Sequence, residues 1–269
     1  MKKVQTKWLI NAAQSSGQIL DKLKQPGLID TMYPFDALYS HLKGEISFLN
    51  QESRLPFGLP NAVRLTLNNN QTYKKDHYSF RSTLDGSRQK LSNDALKAWL
   101  APFKQVVLPQ SISKLSLAKE TLVYSEYDTV LEGVKYANKD HGIAIAVQSK
   151  ESLASVLDII MQTTDRLFYL YSDLLTVEDF TRLSHLSNVT VQSNAPLMAA
   201  EQGLALASKT LDIKNAAYAL DINPLVDSCL CQTCCDHTRS YLHHLYQHTP
   251  ILAIQLLAVH NVKTAWNYL

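Results

Sequence analysis

Four cysteines lie within a short segment of this chain, and their spacing suits a metal ion. The motif Cys229-x-Cys231-x2-Cys234 can place three sulfurs on one side of an ion, and His260 can return as the fourth ligand. Thiolates and imidazole are ligands typical of tetrahedral Zn²⁺. Because a closed Cys3His shell leaves no position for a water molecule, we expect one structural zinc ion.

Two alternatives to this ligand set follow from the same segment. Cys235, the remaining cysteine, has no role in this ligand set. Alternatively, all four cysteines could be buried or reactive free thiols. A disulfide framework is disfavoured, because it would spread its cysteines along the chain and needs a wider Cα separation. The spacing does not exclude the other nearby histidines as fourth ligand, namely His237, His243, His244 and His248.

The composition is that of an ordinary globular protein. The chain has 269 residues, of which 46% are hydrophobic and 19% charged. A formal charge of +2 is too small to argue for nucleic-acid binding by itself. The N-terminal residues lack the pattern of a signal peptide, and no segment reaches the ~18 apolar residues of a membrane span. We therefore expect a soluble, cytoplasmic protein.

Short apolar segments alternate with segments of helical periodicity, which predicts a parallel α/β sheet, open or closed into a barrel. The helical segments include Asn93–Phe103, with Ser92 as N-cap, and Glu126–Asn138. Asp85-Gly86 predicts a hairpin. The predicted strands are Lys7–Ala12, Leu28–Met32, Ala62–Leu67, Gln105–Gln110, Gly142–Gln148, Leu167–Ser172 and Val189–Ser193.

Several of these segments resemble one known family. The cysteine cluster lies in a longer similar region that includes Leu211–Tyr218, Asn223–Leu225, Thr238–Leu245 and Val259–Asn261. This region resembles the C-terminal part of the tRNA-guanine transglycosylases, also called queuine tRNA-ribosyltransferases. Phe80–Arg88 and Thr176–Phe180 resemble further parts of these enzymes. The resemblance implies a TIM-barrel-like (β/α)8 domain over residues 1–210, then a zinc-binding subdomain and a truncated final helix over residues 211–269.

The same resemblance implies exchange of guanine in tRNA for a 7-deazaguanine through a covalent ribosyl–aspartate intermediate. The positions that carry this chemistry are altered here. Gln192 holds the place of the nucleophile, Leu67 that of the general acid/base and Ser111 that of a second acidic residue. In the base pocket Gln148 is retained. One pocket strand has no match, so the barrel is expected to be either complete or lacking one βα unit.

These losses favour a non-catalytic family member that acts as a binding or accessory subunit. Its expected partners are a second copy of the chain or a catalytic transglycosylase paralogue, with tRNA as a further candidate. An apolar stripe on the helix Thr238–Gln247 could support the interface, formed by Tyr241, Leu242, Leu245 and Tyr246. One alternative is a divergent active transglycosylase that uses Asp85 or Asp128. The other is an interaction protein that no longer meets tRNA.

Overall fold

Eight parallel strands form a closed barrel at the centre of the fold. The structure is a computed structural model that describes residues 7–11, 30–47 and 61–268, apart from Asn69, Lys75, Ser113 and Lys119. Each strand pairs with two parallel neighbours, and the first strand closes the barrel by pairing with the second and the last. The barrel strands are β1 (Lys7–Asn11), β2 (Asp30–Pro34), β3 (Ala62–Arg64), β7 (Gln105–Pro109), β8 (Leu122–Tyr127), β9 (Gly142–Ala146), β10 (Phe168–Tyr171) and β11 (Val189–Gln192). The predicted TIM-barrel-like fold is confirmed.

Four of the helices around the barrel start at a side-chain cap, namely Ser92, Thr129, Ser149 or Thr176. Ser92, as predicted, accepts a hydrogen bond from the Ala95 amide. Thr176 and Asp179 form a reciprocal capping box, which satisfies two amides at a helix start. The helices are α1 (Phe35–His41), α2 (Asn93–Leu100), α3 (Val130–Tyr136), α4 (Lys150–Gln162), α5 (Val177–Ser184) and α6 (Ala195–Glu201).

Between β3 and α2 the chain makes a three-stranded antiparallel excursion: β4 (Thr72–Lys74), β5 (His77–Arg81) and β6 (Arg88–Ser92). The hairpin predicted at Asp85-Gly86 joins β5 to β6, and Gly86 has a φ of 71°. Hydrogen bonds from Ser82 and Ser87 lower the pKa of Asp85 in this turn. Asp85 is exposed and stabilises the turn. This structural role explains the residue without a catalytic function.

The C-terminal region follows as a short β-ribbon and three helices. The ribbon pairs β12 (Leu204–Ala205) with β13 (Leu211–Asp212). The helices are α7 (Gln232–Asp236), α8 (Arg239–His248) and α9 (Pro250–Tyr268). α9 packs against α6 of the barrel as well as against α7 and α8. In the described part of the chain no helix combines the length and the apolar character needed to cross a bilayer.

The strand count decides between the two expected barrels, and the structure corrects the extent of one predicted helix. All eight strands are present, so no barrel strand is deleted. The unit after β7 is reduced instead, because its described residues form a 3-10 turn (Gln110–Ile112) and no α-helix. The segment Glu126–Asn138 is not wholly helical: it begins at the end of β8, and Asp128 precedes α3 instead of lying on a helix face. Ala12 and residues 28–29 of the predicted strands lie outside the described residues.

Gly133 controls how closely α3 packs against β9. A Cβ atom at this position would lie 2.4 Å from Cγ2 of Ile143 and 3.3 Å from Cδ2 of Tyr127. We expect Gly133→Ala to lower the free energy of unfolding by about 1–3 kcal/mol, because overpacking outweighs the gain in helix propensity. Leu131→Ala, on the exposed side of α3, is the control and should change it by less than about 0.5 kcal/mol. Equal denaturant midpoints for the two variants would contradict this account.

Candidate metal centre and barrel mouth

Three sulfurs and one imidazole converge in the C-terminal region. The ligand atoms of Cys229, Cys231, Cys234 and His260 all lie within 4.8 Å of one another. Nδ1 of His260 is 3.7, 3.5 and 3.3 Å from the three sulfurs in that order. Tetrahedral zinc bonds of ordinary length place sulfur and nitrogen about 3.5 Å apart. The four residues predicted from the sequence are therefore positioned to hold one such ion.

Local structure orients each ligand. Cys231 is the N-cap of α7, where its sulfur accepts from the Cys234 amide, so one helix turn fixes both sulfurs. His260 is completely buried on α9, and its Nε2 donates to the carbonyl of Leu206 at 2.9 Å. In the neutral ring that a metal requires, this bond places the proton on Nε2 and turns the Nδ1 lone pair toward the sulfurs.

The cluster favours a cation electrostatically. A hydrogen bond with Cys234, together with burial, raises the pKa of the Cys231 thiol to about 11. The same bond lowers the pKa of Cys234. Burial acts to lower the pKa of His260, but the facing sulfurs of Cys229 and Cys231 outweigh it and raise the pKa to about 9. A divalent ion that replaces the shared protons would therefore stabilise the closed cluster.

The other nearby histidines and the fourth cysteine have different surroundings. His243 is bonded to the carbonyl of Ile213 and to Gln247. The His237 ring stacks on Tyr241, and Cys235 is exposed. The rings of His244 and His248 contact each other. Among the described residues, the metal-binding cluster includes none of these alternative ligands.

The carboxyl ends of β3, β7, β8 and β9 surround a cavity of about 570 Å³ at the mouth of the barrel. Three positions singled out by the resemblance line it: Leu67, Ser111 and Gln148. Asp128, from the divergent-enzyme alternative, lines it as well. The other residues that line the cavity include both polar and apolar side chains: Arg64, Thr66, Pro109, Gln110, Glu126, Tyr127 and Ala146.

Gln192 occupies a different environment from these residues. It is the last residue of β11, at the carboxyl end of the barrel, and only 1% of its surface is exposed. Its Oε1 accepts a hydrogen bond from the phenol of Tyr169 at 2.8 Å. Burial raises the pKa of Tyr169, which keeps that phenol protonated as the donor. The amide is therefore held inside the barrel and does not line the cavity.

Sequence reasoning missed a polar network that spans the mouth. Arg64, at the end of β3, forms an ion pair with Glu126 of β8, and its guanidinium lies 4.9 Å from the ring centroid of Tyr171. Tyr171 donates to Asp173, whose other oxygen accepts from the Asn194 amide at 2.6 Å. The available signal was three charged residues near the carboxyl ends of strands, Arg64, Glu126 and Asp173, because barrel enzymes build their sites there.

Comparison with known proteins finds that part of the chain is similar to one family. A family model described as queuine tRNA-ribosyltransferase matches residues 135–268. A queuine tRNA-ribosyltransferase of Prochlorococcus marinus (strain MIT 9211) is 43% identical over 69 residues, which are 25% of this chain and 18% of that protein. One of Dechloromonas aromatica is 52% identical over 50 residues, 19% of this chain and 14% of that protein. A queuine tRNA-ribosyltransferase accessory subunit 2 of Drosophila sechellia is 50% identical over 52 residues, which are 19% of this chain and 12% of that protein. Each alignment thus covers less than a fifth of the relative.

Cys231→Ser tests the metal centre. We expect zinc content to fall from about one ion per chain to near zero, since a hydroxyl is a poor substitute for a thiolate ligand. The melting temperature should fall as well, because metal binding contributes folding free energy. Cys235→Ser is the matched control, because this neighbouring sulfur is exposed and outside the cluster. Elemental analysis of reduced protein is the measurement, and full zinc content in Cys231→Ser would refute the ligand set.

Proposed function

This chain belongs to the queuine tRNA-ribosyltransferase family, and from that premise we propose that it serves tRNA queuosine modification as a non-catalytic binding or accessory subunit. Gln192 carries this proposal. It holds the place of the family's nucleophile, yet it is a buried amide bonded to Tyr169. A carboxamide oxygen is a poor nucleophile, and a neutral amide does not stabilise a developing positive charge on ribose as a carboxylate does.

The rest of the mouth supports the same proposal. Leu67 and Ser111 place neither a carboxylate nor another titratable group where the family has acidic residues. On α6, next to β11, Met198 and Glu201 stand at positions where the resemblance implies arginines, and both are exposed. An anion and a thioether cannot replace two cations in binding phosphates. We accordingly infer that any contact with tRNA uses other surfaces or a partner, in the cytoplasm where tRNA modification takes place.

A base-exchange assay with tRNA tests this directly. The isolated chain should show no incorporation of a labelled 7-deazaguanine or guanine, and Gln192→Ala should give the same result. A catalytic paralogue from the same cell, added to the assay, should restore exchange and also confirm that the tRNA is competent. Exchange by the isolated chain that disappears in Gln192→Ala would overturn the proposal.

The divergent-enzyme alternative has one observation in its favour. Glu126 and Asp128 both line the cavity at the mouth, whereas Asp85 belongs to the hairpin turn. If the chain exchanges bases by this route, Asp128→Asn should abolish activity and Asp85→Asn should retain it. Against this alternative, the Glu126 carboxylate is already paired with Arg64.

Only part of the predicted stripe on α8 is accessible to a partner. Leu242 and Leu245 are buried within the chain, and the Tyr246 hydroxyl donates to the carbonyl of Glu201. Of the stripe, Tyr241 is the large apolar side chain that is exposed, at 42%. Leu220 and Ile222 are also exposed, and they flank Asp221 in sequence. The backbone carbonyl of Asp221 accepts a hydrogen bond from the backbone amide of Ser240, the residue before Tyr241. We define Leu220, Ile222 and Tyr241 as the apolar patch.

We propose that the apolar patch contributes to a heterodimer with a catalytic paralogue, or to a homodimer. The accessory-subunit relative supports the heterodimer. An interface of this kind should bury more than about 1,000 Å².

Leu220→Asp should weaken the association measured by light scattering and co-purification, because it places a charge in an apolar contact. Leu131→Asp, an exposed leucine on α3 of the barrel, is the control and should leave it unchanged. A chain that stays monomeric and ignores both paralogue and tRNA would favour the plain interaction protein instead.

A further inference from the structure

Two imidazole rings lie against each other on the exposed side of α8. His244 and His248 are one helical turn apart, their ring centroids are 4.4 Å apart, and both residues are exposed. We propose that this pair binds a divalent transition-metal ion, such as Ni²⁺, Cu²⁺ or Zn²⁺. It is a second metal site, separate from the cysteine cluster, and it does not depend on the proposed role in tRNA modification.

The ligand chemistry follows from the spacing and the residue type. Side chains at positions i and i+4 of a helix are neighbours on one face, so both imidazoles can reach a single ion. Imidazole is a suitable ligand for zinc, copper and nickel, and water can complete the coordination at an exposed site. The proximity of the two rings brings both ligands to one place before the ion binds.

The helix that carries the pair is fixed in place. Thr238 caps its first turn by accepting from the Tyr241 amide at 3.2 Å. On its inner side Leu242 and Leu245 are buried. The backbone between the two histidines is therefore ordered before binding, which limits the entropy lost when an ion joins their rings.

The position of the pair along the helix also favours a cation. His248 is the last residue of α8, where the carbonyl groups of the final turn carry a partial negative charge. The only cationic Lys or Arg residue of α8, Arg239, lies at the opposite end, where it is paired with Asp221. No fixed positive charge of α8 itself therefore opposes an ion at its C-terminal turn.

Two other histidines of this segment, His243 and His237, make contacts that keep them out of the pair. His243 points inward and its ring nitrogens contact the carbonyl of Ile213 and the amide of Gln247. His237 stacks on Tyr241 near the beginning of α8. The site is thus limited to His244 and His248, and His237 provides a matched control.

Calorimetric titration of the full chain with Ni²⁺ tests the proposal, after elemental analysis has shown that one zinc ion per chain is already bound. We expect one further metal equivalent, and His244→Ala or His248→Ala should each weaken its affinity at least about tenfold. His237→Ala should bind Ni²⁺ as the unaltered chain does. Both altered side chains are exposed, so the variants should fold, which their unchanged zinc content would verify.

A thermal melt gives an independent measurement. An ion that joins two turns of the folded helix should raise the melting temperature of the unaltered chain, because it binds the folded state more tightly than the unfolded one. The rise should be absent in the double variant His244→Ala/His248→Ala. Unchanged Ni²⁺ affinity in that double variant, or loss of the site in His237→Ala, would overturn the proposal.

Discussion

Two adjacent and completely buried residues of α9, His260 and Asn261, connect the metal cluster to the barrel. His260 faces the three sulfurs and donates to Leu206. Asn261 accepts from the Leu206 amide and donates to the carbonyls of Leu204 and Pro196. Because an unpaired buried amide or carbonyl costs about 1–3 kcal/mol, these bonds fix α9 against the segment that leaves β11. The metal ligands and the turn after the last barrel strand therefore depend on each other.

The framework around position 192 is likewise fixed without the side chain of Gln192. The turn after β11 is held from three directions: the Trp8 indole donates to Ser193, Asp173 accepts from the Asn194 amide, and Asn261 donates to Pro196. Each bond uses the backbone of the turn, so none requires a carboxylate at residue 192. The packing of the cluster, α9 and the turn therefore does not depend on which chemical group stands at position 192.

Local signals predicted the parts of this fold that are determined locally. The metal ligands Cys229, Cys231 and Cys234 are close in sequence, and the Asp85-Gly86 hairpin and Ser92 cap depend on neighbouring residues alone. The eight-stranded closure came from the resemblance, since alternation of strands and helices fits an open sheet equally well. β8 escaped detection because Ser125 and Glu126 interrupt its apolar pattern. Their partners, His141 and Arg64, are distant in sequence, so local periodicity cannot reveal them.

The charges at the mouth bear on the proposed absence of catalysis. A ribosyl transfer that develops positive charge needs a carboxylate whose negative charge is free to stabilise it. Glu126 is neutralised by Arg64, and Asp173 accepts from both Tyr171 and the Asn194 amide. Asp128 is exposed at the rim, where water screens its charge. Because Gln192 is neutral, the described residues place no buried, uncompensated anion at the mouth. This arrangement of paired charges supports the proposed non-catalytic role.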